Sequence, residues 1–279
     1  MPSLLSLQVL GLCWCRSLCL RHGSLSIPLK PWLRLPHNFR IIHLPICSST
    51  QDEARKLYQS GHPLVVTTDQ QTAGRGRRGR SWTNGKGNFL ASFALPLTSD
   101  VAPFAMMVLA VELTTFLQNK ITADIRVKWP NDIMVEGQKI SGIIGEYEQQ
   151  LSCLILGVGV NLHSSPELRD GRHEATSLAE QGFGQDIHDE LLDHLCTSLS
   201  GWMKENTPTE HVVSKLESLS FPKGSFVRLL SETSSLEGAF DGLTKEGHLK
   251  LLDANNTQHV IMAGDVVQCR WGDQHAFGH

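Results

Sequence analysis

At 279 residues, 41% of them hydrophobic and 19% charged, the chain is long enough to bury a full-sized core as one large domain or two smaller ones. A formal net charge of -3 and a pI near 6.5 argue against a protein that coats nucleic acid, and no apolar run reaches the length of a membrane span. Seven cysteines without a C-x-x-C pair and thirteen histidines without H-E-x-x-H or a comparable spacing indicate neither a disulfide framework nor a protein-held metal centre.

Residues 1–51 carry five Lys/Arg and no acid, and Asp52 is the first carboxylate. This acid-poor, Arg- and Ser-bearing leader has the composition of an organelle transit peptide, with a plain disordered extension as the other reading. A secretory signal fits less well, because no basic residue precedes the apolar stretch. Residues 1–37 are therefore set apart from the fold, and import into a mitochondrion or plastid is expected, with a cytosolic form from alternative initiation.

In "SSTQDEARKLYQSG", Thr50 and Glu53 have capping-box spacing, which predicts a short helix that starts by exposing Ser49 and Thr50 and stops near Gly61. "PLVVTTDQ" is strand-like and leads into "AGRGRRGRSW" (73–82), after which "NFLASFALPL" (88–97) is a second strand. From Pro103 to Asn119 the composition turns to Met, Leu, Ala and Glu, one buried helix with a first-turn proline. "DIRVKWPND" is a strand that Pro130 must end. "IMVEGQKISGIIGEYE" is a hairpin turning at Glu136-Gly137, and "LSCLILGVGVNL" is an apolar strand. Two helical patterns fill 186–219, and "SFPKG" (220–224) reads as a linker. The strands "SFVRLLSE", "LEGAFDGL", "HLKLLD" and "HVIMAGDVVQCR" then alternate with turns as in a small barrel. The expected division is 38–220 for a first domain and 221–272 for a second, with 273–279 as a tail.

Four arginines (Arg75, Arg77, Arg78, Arg80) and three glycines (Gly74, Gly76, Gly79) fill positions 74–80. Such a run is most often a solvated or RNA-binding segment. This one ends after seven residues, fenced by Gln70-Gln71 and Trp82, which suits a single phosphorylated ligand. Glycines let the backbone close around it, guanidiniums grip carboxylate or phosphate oxygens, and an aromatic covers a base. No G-K-[ST] follows and no helix opens, so this is neither a P-loop nor a dinucleotide fingerprint. A second cationic pair is Lys128, in "VKWPND", and Lys139, seven residues after Asp132. Each alone is an ordinary surface charge, but one enters a proline-fixed turn and the other begins the return strand of the hairpin, so both can reach one end of the sheet.

In order and approximate spacing, "STQDEA", "QTAGRGRRGRSW", "VKWPNDI", "KISGIIGE" and "GVGVNL" resemble the biotin protein ligases, also called holocarboxylase synthetases, over roughly residues 45–272. The arginine loop and W-P-N-D are the specific part; the carboxy-terminal match is weak. The resemblance implies an α+β fold, a mixed β-sheet flanked by helices of the class II aminoacyl-tRNA synthetase and biotin ligase type, followed by a small SH3-like β-barrel. It implies an ATP-dependent ligase that, with Mg²⁺, makes biotinyl-5'-AMP from biotin and ATP. The biotinyl group then passes to one lysine of the biotin carboxyl carrier domain of acetyl-CoA carboxylase and other biotin-dependent carboxylases. A homodimer is compatible with it, whereas a membrane or DNA partner is not expected, since the stretch before Ser48 is too short and proline-broken for a helix-turn-helix.

By motif, Ser49, Thr50 and Gln71 resemble contacts to biotin's ureido ring. Gly74, Arg75, Gly76 and Arg77 correspond to the loop around the biotin carboxyl and adenylate phosphate, Arg80 to a phosphate contact, and Trp82 to the aromatic over adenine. Lys139 matches the lysine between carboxylate and α-phosphate, with Gly142 also at the ligand. Lys128 and Asn131 resemble contacts to ATP phosphates or their Mg²⁺, and Asp132 an acceptor for the incoming lysine's proton. Lys139, Arg77, Lys128 and Asp132 form the expected catalytic set. Asn161 is either a site residue or part of close strand packing, Arg270 either near the nucleotide or on the surface, and Trp129 either a biotin wall or, preferably, core. The chemistry asks for these cations, because two unit anions about 4 Å apart repel by roughly 4 kcal/mol at an effective dielectric near 20. The activated acid is a mixed anhydride that water destroys, so the loop is expected to be disordered until ligand anions draw its arginines inward as a lid. Lipoate ligase, of the same superfamily, and an RNA-binding module are the rival readings.

Overall fold

The computed structural model describes residues 38–83, 85–166, 174–205, 209–230, 235–271 and 275–277; the transit-peptide expectation falls on 1–37, outside the described residues. A seven-stranded sheet is built from β1 (Arg40–Cys47), β2 (Leu64–Gln71), β3 (Phe89–Leu95), β4 (Ile125–Lys128), β5 (Asp132–Val135), β6 (Gln138–Glu148) and β7 (Cys153–Val160). Its order is β1-β2-β3-β7-β6-β5-β4. β1 runs parallel to β2 and every other pairing is antiparallel, so the sheet is mixed. Parallel neighbours need a crossover, and α1 (Thr50–Leu57) supplies it. The sequence reading missed β1. Its "RIIHLPIC" carries Pro45, which sheets tolerate at an edge, and an edge is where β1 lies.

The two faces of the sheet are covered differently. On one, Ala54 of α1 and Tyr58, just past its end, pack with Leu64, Val66, Ala94, Cys153 and Ile155. Val65, pointing the other way along β2, joins the main core with α2 (Ala102–Gln118). α2 is apolar nearly all round because α3 (His188–Glu205) and α4 (Thr209–Leu219) cover the side that the sheet does not. The hairpin between β5 and β6 turns at Glu136 (φ 49°) and Gly137 (φ 80°), the left-handed pair that its sequence predicts.

The helix start departs from expectation. Ser49, not Thr50, is the N-cap, no side chain caps the helix, and Glu53 pairs with Lys56 at 2.8 Å instead of closing a capping box. The helix ends at Leu57, four residues before Gly61.

β8 (Phe226–Leu230), β9 (Ser235–Leu243), β10 (Leu249–Leu252), β11 (Gln258–Ile261), β12 (Asp265–Trp271) and β13 (His275–Phe277) form a six-stranded antiparallel sheet in the order β11-β10-β9-β8-β12-β13. The stretch expected as one strand, "HVIMAGDVVQCR", is two, broken at 262–264 where Gly264 lies against Leu229. β13 pairs back onto β12 inside the segment expected to be a tail. The two sheets are joined at Trp129, a buried residue whose Nε1 donates to the Gly247 carbonyl at 3.1 Å.

Candidate active site

The arginine loop leaves the end of β2 and closes on itself. Trp82 N donates to Gly74 O at 2.9 Å and Gly76 N to Arg80 O at 2.7 Å, around a 3₁₀ turn over Arg77–Gly79 in which Arg78 is left-handed at φ 56°. Three of its four guanidiniums converge on one carboxylate of the second sheet. Arg80 Nη2 lies 3.0 Å and Arg78 Nη1 3.5 Å from Asp265 Oδ2, while Arg77 Nη1 lies 3.3 Å from Oδ1 and donates to Asn131 Oδ1 at 3.0 Å. Burial pulls the Arg77 guanidinium below its ordinary pKa despite Asp265. Sequence reasoning missed Asp265. The signal available was one acid, after Ala263-Gly264, heading an otherwise uncharged strand start.

Opposite the loop, Asp132 sits between two ammonium groups, Lys128 Nζ at 2.8 Å and Lys139 Nζ at 2.6 Å. Strand register alone would put Lys139 across from Met134, two residues from Asp132. A β-bulge between Ile133 and Met134 in the β5–β6 ladder, with Ile140 as the extra residue, accompanies its reach back to Asp132. Burial would raise the Asp132 carboxyl, but the two lysines outweigh it and hold it well below the usual carboxylate range. Lys128, 5% exposed, is pulled below the usual lysine value by burial and by Lys139's charge, against Asp132's attraction.

Trp82 lies flat on the floor between these groups. A Cβ on Gly159 of β7 would stand 2.5 Å from Trp82 Cζ2, so only glycine admits the indole there. Lys139 Nζ is 5.5 Å from the ring centroid, within cation–π reach. The Trp82 Nε1 is buried with no hydrogen-bond partner in the protein. At the far end of the cleft, Thr50 donates from both N (2.8 Å) and Oγ1 (3.2 Å) to Gln71 Oε1, and shares a 2.8 Å hydrogen bond with Ser92.

Thr50, Gln71, Arg75, Gly76, Arg77, Arg80, Trp82, Lys128, Asn131, Asp132, Lys139, Gly142 and Asn161 all line one open cleft of about 1130 Å³, its mouth included. Several predicted residues also make contacts within the protein. The Arg75 guanidinium, in the cleft lining, pairs with Asp52 (2.7 Å) and Glu146 (3.3 Å), both of which Arg55 also holds. Ser49 is buried with an unpartnered Oγ. Gly74 gives way to the Trp82 carbonyl, which a Cβ would approach to 2.7 Å. Asn161 spends its amide on Asn88 and the Thr176 carbonyl, an architectural bracket at the cleft's edge. Trp129 is core that also reaches the cleft. Arg270 is exposed, 5.3 Å from the Phe226 ring centroid and away from the cleft.

Among the described residues no group of three or more His, Cys, Asp or Glu side chains is arranged to hold a metal ion. Both Asp132 oxygens face ammonium groups and both Asp265 oxygens face guanidiniums, so these carboxylates do not make a magnesium cage.

A cleft that sets lysines and arginines around a site for anions, on a mixed sheet capped by helices, defines an acid-activating ligase. The chain belongs to the biotin/lipoate A/B protein ligase family, whose model matches residues 44–161. It is 32% identical over 238 residues to the bifunctional ligase/repressor BirA of Escherichia coli, covering 80% of this chain and 72% of that protein. It is 29% identical over 233 residues to a biotin–[acetyl-CoA-carboxylase] ligase of Paracoccus denitrificans, covering 78% and 96%. A solved biotin protein ligase from Aquifex aeolicus, in complex with biotin and ATP, superposes at TM-score 0.70 with 26% identity, covering 83% of this chain and 99% of that one.

Proposed function

We propose that the chain is a biotin–protein ligase: it activates biotin with ATP as biotinyl-5'-AMP and transfers the biotinyl group to a lysine of a carboxylase carrier domain. The observation that carries this reading is the Lys128–Asp132–Lys139 triad facing Arg77 across one cleft. In the first step a biotin carboxylate oxygen attacks the α-phosphorus of ATP, the α–β bridging bond breaks and pyrophosphate leaves. Lys139, on the bulged start of β6, is placed to sit between the two anions, and Lys128 and Asn131 to meet the leaving phosphates. Asp132 keeps both lysines aimed.

In the second step the carrier lysine's neutral amine attacks the acyl carbonyl, the acyl–phosphate bond breaks, and AMP leaves. With Lys139 turned to the phosphate, Asp132 regains basicity and takes the amine's proton. Trp82 covers the adenine, and the loop arginines shield the anhydride from water. Lys128 and Asn131 would meet the phosphates that carry Mg²⁺, which when bound would supply charge neutralisation there. We further propose the division into a catalytic domain (38–220) and a carboxy-terminal domain (221–272) whose sheet is a small SH3-like barrel, and import into an organelle.

The test incubates purified protein with biotin, MgATP and an apo-carrier domain. A mass gain of one biotinyl group on a single carrier lysine, dependent on ATP and absent with lipoate, is expected. Lipoate-dependent pyrophosphate exchange exceeding the biotin-dependent rate would overturn the reading in favour of a lipoate ligase.

A further inference from the structure

Asn88 immediately precedes β3, is 2% exposed, and stands outside the cleft lining. Its amide grips the turn that leaves β7. Oδ1 accepts from three consecutive backbone N–H groups, those of Leu162 and His163 at 3.1 Å and of Ser164 at 3.3 Å. Nδ2 donates to the Ser164 carbonyl at 2.8 Å and to Asn161 Oδ1 at 3.3 Å. The chain before it is shaped for this approach, since Gly87 is left-handed at φ 82° and a Cβ there would stand 2.8 Å from His163 Cδ2. From the turn, hydrogen bonds run on to Lys139. Asn161 N donates at 2.9 Å to the carbonyl of Ile140, the extra residue of the bulge, and Asn161 Nδ2 donates to the Thr176 carbonyl at 3.0 Å. Leu178 N donates to Asn161 O at 3.0 Å and Ala179 N to Leu162 O at 2.9 Å, which fixes the 174–179 segment against the turn. That segment brackets Lys139: Lys139 N donates to Glu174 O at 2.8 Å, and Thr176 N donates to Lys139 O at 2.9 Å, a parallel bridge centred on Ala175.

We propose that Asn88 is a positioning residue for acid activation: through the 161–164 turn and the 174–179 segment it fixes the backbone from which Lys139 reaches toward the reacting anions. The proposal rests on the ligase reading and on the place of Lys139 in it. The bulge that accompanies the aim of Lys139 toward Asp132 is held by a segment outside the sheet, and Asn88 is the buried side chain that ties this holder down. A shift of about 1 Å in a reacting group can cost about a hundredfold in rate. Substrate contacts made by other side chains survive such a shift, so the loss of Asn88 falls on kcat and leaves KM for biotin in place.

The test measures biotin-dependent pyrophosphate exchange and thermal melting on the full-length protein, for Asn88→Ala alone and combined with Lys139→Gln. Phe93→Leu, a core substitution further along β3, is the control for lost stability. Asn88→Ala is expected to lower kcat about thirtyfold with KM for biotin within about twofold of wild type. In the Lys139→Gln background the same substitution should change the rate by less than about threefold, because the group it positions is already gone. Phe93→Leu should melt lower than wild type and keep its kcat. If Asn88→Ala does not fold, Asn88→Asp replaces it: the carboxylate still accepts from the three amides, the donor to Asn161 is lost, and the same split is expected. A rise in KM with kcat unchanged, a kcat loss in Phe93→Leu as large as in Asn88→Ala, or full additivity with Lys139→Gln would overturn the proposal while leaving the ligase reading intact. A wild type with no biotin-dependent exchange would sink both.

Discussion

Replacing Lys139 by glutamine removes one of the two ammonium groups on Asp132, the one 2.6 Å from Oδ1. During adenylation a cation about 4 Å from the reacting oxygens at an effective dielectric near 20 contributes roughly 332/(20 × 4), about 4 kcal/mol. At about 1.4 kcal/mol per tenfold, its loss slows biotin-dependent pyrophosphate exchange by about a thousandfold. The fold should survive, because the Lys139 side chain is 19% exposed and Asp132 keeps Lys128 at 2.8 Å. Lys128→Met makes the contrast: that side chain is 7% exposed, and breaking a buried pair costs about 3–5 kcal/mol, so this variant should lose stability and activity together. The assay pairs pyrophosphate exchange with urea unfolding of both variants. An exchange rate for Lys139→Gln within tenfold of wild type, or a loss of stability equal to that of Lys128→Met, would refute the assignment of Lys139 to chemistry.

Gly159→Ala should expel Trp82 from its seat at a cost of about 1–3 kcal/mol, red-shifting tryptophan emission and weakening ATP binding; unchanged emission would contradict the seating. Asp265→Asn removes the charge shared by Arg77, Arg78 and Arg80, and losing about 1.4 kcal/mol of charge-assisted bonding should speed amide exchange in the arginine loop about tenfold. Unchanged protection there would show that Asp265 does not hold the loop. The third test concerns α2 and α3. Glu112 holds the His194 imidazole above its ordinary value, and His194 holds Glu112 below its own. This contribution is complete between the unfolded Glu and His values, about pH 4.3 to 6.5, and is lost as pH rises through the raised His value or falls through the lowered Glu value. The pair is half-buried and worth under about 1 kcal/mol, so melting should fall by roughly 1–3 °C above neutrality in wild type and stay flat in His194→Gln. The same pH slope in both proteins would show that the pair contributes nothing.

What the sequence makes legible is chemistry within a few residues. The Glu136-Gly137 turn, the strand stop at Pro130, the first-turn Pro103 of α2 and the bounded arginine run each follow from local dihedral or charge constraints. The partners of those groups are not local. Asp265 meets Arg77 across 188 residues and Glu146 meets Arg75 across 71, contacts that only the assembled sheets create. Lys139 was identifiable as a site candidate, but its aim accompanies a β-bulge, and nothing in "QKISG" announces an extra residue. The capping-box spacing at Thr50 misled because the hydroxyl is worth more bonded to Gln71 and Ser92 in the cleft wall than to its own helix.

The separation between Arg77 and Asp265 also sets an order of events in time. Protein synthesis delivers the large sheet first, and its strands through Val160 can begin to assemble while the chain is still growing. The carboxylate that clasps the flap is translated 188 residues after the arginine it holds. A nascent chain therefore carries its cations on an unlatched ribbon, and the clasp can form only once Asp265 has left the ribosome.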